Sequence, residues 1–387
     1  MQDFNNIDVG GQLLFIEPTW VTGETCLFSI TNPIEYAVAK AKVTKFRKRF
    51  IEQLEEQGFV ITYDRNICSE DIVYFTMNPE SICAEEIAFG EYKKKYDQAL
   101  FEACEGKINY PYSLNIEQYF ENPFLPAVFK NELMNGGKDK FLIETAEQIG
   151  IIKKFYNDFN DNPQYKDAFD VSIFQQLIEI PTEYKTYMRV LMSASGDVMG
   201  ASLKYSRGSY TERPDLGMFE RFLKDKTSKY FLHAKSMFNY YSGGGEISFC
   251  QPRYSYEKQE ILKAHGIDPE NPAIPEEVLK VSSLMATKCN NQLGIICGID
   301  FIFNEQDKKW YYLEVQGFPA IDEYLETQRI KPPKVNNAND YVKLLELELE
   351  VRYIALMMCI KKKLEVKNAQ ADPFKQKVKQ NKKECSL

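Results

Sequence analysis

The chain has 387 residues, 44% hydrophobic, 13% aromatic and 27% charged, which is ordinary for a globular protein and long enough for two or three domains. Its formal net charge of −8 conceals a split, because from residue 361 onward nine lysines face three acidic residues, a local +6 that leaves −14 for the rest. An acidic body disfavours a nucleic-acid polymer as main ligand, no apolar run approaches the length of a membrane span, and MQDFNNIDVGG lacks a signal-peptide pattern, so a cytoplasmic protein is expected.

Residues 1–115 alternate short strands with longer helices. LLFIEP reads as a strand, 34–57 as a Lys/Arg-rich helix, FVITYD and IVYFTMN as strands, and EYKKKYDQALFEACEG as a helix closed by NYPYS. This predicts a small α/β unit. A second unit follows over 116–365. PAVFK is a strand ending in Lys130, NGG is a turn, FLIET is another strand and AEQIGIIKKFYNDF a helix. VSIFQQLIEIP, TYMRVLMSAS and DVMGASLKYSR are strand-like, with SGD as a hairpin turn. Residues 215–251, which include YYSGGGEISF, read as irregular. PEEVLKVSSLMATKCNNQL is a helix with an acidic first turn, as the helix dipole favours. GIDFIF and YYLEVQGFP are two strands joined through NEQDKK, and an amphipathic helix over about 338–363 closes the unit. The Lys-rich segment 366–387 is poor in large hydrophobes and is expected to be disordered, a solvated tail or a tether to an acidic surface.

Successive strand side chains point to opposite faces, so Glu314 and Gln316 share one face and Val315 takes the other. If GIDFIF pairs with YYLEVQ as a hairpin, Asp300 joins them, and three oxygen-bearing side chains converge where a hard divalent cation can bind. An edge strand with solvated polar residues would read the same way. Lys130 stands five residues before Asn135-Gly136-Gly137, a pattern suited to phosphate, since glycines let backbone N–H groups approach and a lysine adds charge. The spacing is not that of a P-loop, and an ordinary hairpin has the same residues. In FQQLIEIPTEY the backbone of Gln176, Leu177 and Ile178 can read a base, with Glu183 on the ribose; a core strand and exposed loop would look alike. Arg189, Lys204 and Arg207 alternate with apolar residues on adjacent strands and suit an anion, or a solvated sheet face. Gly243-Gly244-Gly245 is either a mobile lid or a plain flexible loop. The nine cysteines form no CxxC pair, which argues against a zinc site or disulfide framework, and only His233 and His265 are available to a histidine-dependent mechanism.

Taken in order, the strand-Lys, the Gly loop, QLIEIPTE, YMRV with GDVMGASLK, the GGG loop, GID and YLEVQGFP resemble the ATP-grasp superfamily over about residues 95–325. Within it, the run resembles the amino-acid and peptide ligases, including the RimK-like branch. The resemblance implies an α/β (α+β) ATP-grasp fold behind the small N-terminal domain, with a nucleotide-binding subdomain at about 116–182 and a catalytic one at about 183–330. It implies that Lys130 binds phosphate and that Lys95, with Lys93 and Lys94 as competing candidates, is the earlier nucleotide-binding lysine. Gly136 and Gly137 match the loop over the phosphates, Gln176, Leu177 and Ile178 the adenine hinge, and Glu183 the ribose-contacting acid. Asp300 and Glu314 match the two metal-binding acids, and Gln316 stands where the family usually has Asn.

The implied activity is ATP-dependent joining of a carboxylate to an amine through an acyl phosphate, with ATP and two magnesium ions, or manganese, as cofactors. The expected partners are small-molecule or peptide carboxylates and amines. Gly298 departs from the family, many of whose members place there an arginine that stabilises the transferring oxyanion; Arg189, Lys204 or Arg207 would have to supply that charge. Two rival readings are a phosphotransferase on the same fold and a nucleotide-binding scaffold with lost catalysis.

Overall fold

The computed structural model describes residues 7–16, 18–22, 33–64, 72–76, 109–131, 139–179, 184–206, 217–234, 244–249, 253–288, 295–316, 321–334 and 337–371. Three sheets organise them.

The first sheet is parallel, in the order β2 (Val60–Thr62), β1 (Leu13–Ile16), β3 (Val73–Thr76). Helices α1 (Pro18–Thr22) and α2 (Pro33–Glu56) belong to it. Helix α2 buries Ala39, Val43, Arg47 and Ile51, a strict i,i+4 stripe. The buried arginine in that stripe has a reason: its guanidinium donates to the Trp20 carbonyl and lies 4.6 Å from the Trp20 ring centroid.

The second sheet is antiparallel, in the order β4 (Ser113–Asn115), β7 (Ser172–Gln176), β5 (Ala127–Asn131), β6 (Lys140–Ile143). It carries helices α3 (Ile116–Glu121), α4 (Ala146–Phe159) and α5 (Pro163–Asp170). Capping boxes at Asn115/Gln118 and Thr145/Gln148 fix the starts of α3 and α4. One sheet face is aromatic, with Phe129, Phe141 and Phe174 packed against Phe155, Phe169 and Phe219. The pairing register places Ser113, Gln175, Lys130 and Lys140 on the other face.

The third sheet is antiparallel, in the order β10 (Gly244–Ser248), β9 (Val198–Ser206), β8 (Lys185–Ser193), β11 (Ile296–Asn304), β12 (Lys309–Gln316). Helices α6 (Glu220–Leu223), α7 (Tyr256–Ala264), α8 (Glu276–Lys288), α9 (Asp322–Thr327) and α10 (Ala338–Ala371) complete the chain. Met188, Val190, Leu203, Ile247, Ile299 and Phe301 face α7 and α8 in one core. On the opposite face, Leu191 and Ile296 join a core shared with the N-terminal unit, α9 and α10, and the same face also carries Arg189, Lys204, Glu246, Asp300 and Glu314.

Three sequence expectations change. The span 215–251 is not wholly irregular, since it contains α6 and the edge strand β10. Part of the GGG run is strand: a Cβ on Gly245 would lie 2.3 Å from the Tyr205 ring, so glycine lets that ring cover the backbone. Helix α10 runs past residue 363 to Ala371, taking in the first residues assigned to a disordered tail. Leu364 packs on the core, and LEVKNAQA consists mostly of helix-compatible residues ahead of Pro373. Among the described residues no helix is long and apolar enough to cross a membrane.

Candidate active site

The floor of the site is a single row across three strands. Arg189 on β8 is opposed to Asp300 on β11, and Asp300 to Glu314 on β12. Directly opposed antiparallel residues share a face, so the hairpin brings the two acids together as the alternation predicts. The register then slips: Phe301 pairs with Tyr312, which leaves Leu313 as the extra residue of a bulge beside Glu314. Asp300 is not a bare carboxylate. Arg189 Nε donates to its Oδ1 at 2.8 Å and the terminal NH2 nitrogen to Oδ2 at 2.7 Å, with both side chains buried. Burial pushes the Asp300 carboxyl up, with Glu314 adding to the rise, and the Arg189 guanidinium pulls against it.

Lys204 on β9 lies one step along the same face, between Glu246 at 2.8 Å on β10 and Glu323 at 3.0 Å on α9. Burial alone would lower the Lys204 ammonium, but Glu323 and Glu246 outweigh it and the shift is upward. Arg189 and Lys204, expected to offer charge to a reacting oxyanion, are thus both paired with carboxylates.

The roof comes from the second sheet. Lys130 donates to Gln175 Oε1, and Gln175 Nε2 donates to Ser113 Oγ at 3.1 Å. Lys140, directly opposite Lys130, reaches across to Glu314, with Nζ 3.8 Å from Oε2. Behind the roof, Asp139 is fully buried with φ +50° and accepts from Asn131 Nδ2, Phe219 N and Glu220 N at 2.8–3.1 Å. It ties the end of the β5–β6 connection to segment 217–220.

Gln176 is exposed and its backbone N–H already donates to the Tyr112 carbonyl at 2.7 Å, so that donor of the expected hinge is committed. Leu177 is half-buried and Ile178 buried. The next carbonyl, of Glu179, accepts from Glu305 N at 2.8 Å, fastening the strand's exit to the β11–β12 turn. Lys95, Gly136, Gly137, Glu183 and Arg207 lie outside the described residues, as does the Gln316 side chain; the Gln316 backbone pairs with Gly298. The site thus gathers Arg189, Lys204, Asp300, Glu314 and Lys130, and adds Lys140, Gln175, Glu246 and Glu323, which sequence reasoning missed. Only Lys140 had a local signal, since pairing PAVFK with KFLIE puts it opposite Lys130.

Magnesium binds through one or two carboxylates plus phosphate and water oxygens. Glu314, partly exposed at the cleft, and Asp300 beside it fit that donor chemistry, with Asp300 shared with Arg189. Among the described residues no three acidic, His or Cys side chains are grouped to hold a metal by themselves.

No protein-family model matches the sequence, and no curated protein matches it. Solved structures similar to the chain include the ATP-grasp ligase PsnB complexed with minimal precursor, at 11% identity and a TM-score of 0.33, over 83% of this chain and 75% of that one. A RiPP-associated ATP-grasp ligase from Chryseobacterium gregarium, in complex with ADP and a leader and core peptide, is 13% identical over 90% and 77%, with a TM-score of 0.36. D-alanine–D-alanine ligase from Bacillus anthracis complexed with ATP is 10% identical over 88% and 97%, with a TM-score of 0.33. The chain is thus similar to ATP-grasp ligases.

Proposed function

We propose that the chain is an ATP-grasp ligase that joins a carboxylate to an amine and releases ADP and phosphate. One observation carries the reading: the lysine-bearing face of one antiparallel sheet confronts an acidic row on another, with Lys140 and Glu314 3.8 Å apart across the cleft. Cations above and hard-oxygen ligands below suit a polyphosphate with its divalent ion.

In this reading Lys130, Gly136, Gly137 and Lys95 hold the phosphates, and Gln176, Leu177, Ile178 and Glu183 hold the adenosine. Asp300, Glu314 and Gln316 are the ligands for magnesium, as two ions with manganese as an alternative. When bound, the metal neutralises phosphate charge. The substrate carboxylate oxygen attacks the γ-phosphorus as the bond to ADP breaks; the amine then attacks the acyl carbon, and phosphate leaves with the C–O pair. Arg189 and Lys204 meet the developing negative charge from within their carboxylate partnerships, and Arg207 adds a third cation. Positioning and charge stabilisation suffice for such chemistry, and no histidine is needed. The division into an N-terminal domain (1–115) and an ATP-grasp unit (116–365) belongs to the same proposal.

The test is phosphate release over pools of carboxylates and amines. Turnover requires one of each, yields ADP, and disappears in Glu314→Gln while stability without metal holds or rises. Turnover without an amine, or an unaffected Glu314→Gln, would defeat the ligase reading.

A further inference from the structure

Lys140 opens β6 directly opposite Lys130 on β5, so the two ammonium stems share one sheet face. Like charges at directly opposed positions repel. The named neighbours on that face offer no carboxylate: Gln175 and Ser113 are neutral, and Lys130 is already engaged with Gln175. Among the described residues, Lys140 meets an anion across the cleft. It has one there in Glu314, but at 3.8 Å the contact is an ion pair and not a hydrogen bond, with side chains 22% and 27% exposed. Arg189 and Lys204 differ sharply, being held by carboxylates at 2.7–3.0 Å in buried surroundings.

We propose that Lys140 is a polyphosphate-binding residue whose pairing with Glu314 gives way to an arriving nucleotide, so that the ammonium turns to the phosphates and no longer competes with the divalent ion for that carboxylate. The inference rests on the nucleotide site proposed above. Leaving a long, solvent-screened pair costs little, whereas two opposed lysines present a double charge to phosphate oxygens. Lys140 and a metal ion compete for one carboxylate. Metal alone binds weakly as a result, and nucleotide and metal bind cooperatively.

Calorimetry on the full chain tests this with ADP in EDTA, and with MnCl2 alone. Lys140→Gln should weaken ADP binding by about tenfold, the scale of one charge-assisted contact. The same substitution should tighten Mn2+ binding about threefold or more, because the competing ammonium is gone. Lys140→Arg, which keeps the charge, should hold ADP affinity near wild type. Opposite signs from a single substitution are the signature that a merely structural lysine would not give. Wild type that binds ADP while Lys140→Gln binds it equally well overturns the phosphate role. Mn2+ affinity that stays the same or falls overturns the competition for Glu314. Wild type without ADP binding overturns the nucleotide site and this inference with it.

Discussion

Arg189 and Asp300, opposed on β8 and β11, form a two-pronged buried ion pair at 2.7 and 2.8 Å beside Glu314. Removing one partner strands the other charge, so Arg189→Met should cost about 3–5 kcal/mol of folding stability. Pairing it with Asp300→Leu should recover most of that loss, because two apolar side chains replace a buried pair. Urea unfolding of both single variants and the double variant measures the coupling. A loss below about 1 kcal/mol for Arg189→Met would mark the pair as solvent-screened.

Much of the acidic row was legible in the sequence, because the strand period alone puts Glu314 and Gln316 on one face and a hairpin adds Asp300. Arg189 was visible as a cation on a strand, but its commitment to Asp300 depends on the register of strands 111 residues apart. Nothing local encodes that register. The same holds for Glu323, which meets Lys204 only because α9 folds back onto β9. Strand β10 was hidden by its glycines, whose place in a sheet makes sense only with Tyr205 lying over Gly245. Helix α7 is short and carries a cap, Ser255, accepting from Lys258 N, that the sequence reading passed over.

Lys130 supplies a direct test of the nucleotide site. Its ammonium is held by Gln175, which places it on the roof face before any ligand arrives. Lys130→Ala should weaken ATP binding by about 1.5–3 kcal/mol, as expected for a charge-assisted hydrogen bond. Calorimetry giving wild-type ATP affinity in a folded Lys130→Ala protein would sink the assignment.

His265 should make stability fall in mild acid. Its Nδ1 lies 2.7 Å from the Ile261 carbonyl and its Nε2 2.6 Å from Thr186 Oγ1, and its ring packs beside those of Phe303 and Trp310. The neutral ring fits with Nδ1–H donating and Nε2 accepting. Burial lowers the imidazole pKa from 6.5 to about 4, against the hydrogen bond to Ile261 and the charge of Glu305. The unfolded chain therefore takes up a proton between those values and the folded chain does not. The contribution is complete above pH 6.5 and is lost as pH falls through about 4, a total of roughly 3 kcal/mol. Glu323 and Glu326, both raised first by burial, act in the opposite direction, so the comparison must be with His265→Gln. The stability gap between the two proteins should narrow from pH 7 to pH 4; parallel curves would mean that the ring titrates normally.

Gly200 and Gly245 should respond differently to a methyl group. A Cβ on Gly200 would lie 2.3 Å from the Glu323 carbonyl oxygen, 2.5 Å from its carbon and 2.8 Å from Tyr324 N. These are backbone atoms of the first turn of α9, and they can yield only if the helix moves. Gly200→Ala should therefore cost about 1–3 kcal/mol, the usual scale of overpacking. It should also lift the Glu323 carboxylate from its 3.0 Å contact with Lys204. At Gly245 the obstacle is the Tyr205 ring, with its end atoms 2.3–2.7 Å away, and a side chain can swing aside. Gly245→Ala should cost clearly less. Thermal or urea unfolding of the two variants gives the order, and Glu323→Gln supplies a control that keeps the helix in place while weakening its hold on Lys204. Equal losses at the two glycines would show that α9 is not seated on β9, and that the ion pairs around Lys204 do not depend on that contact.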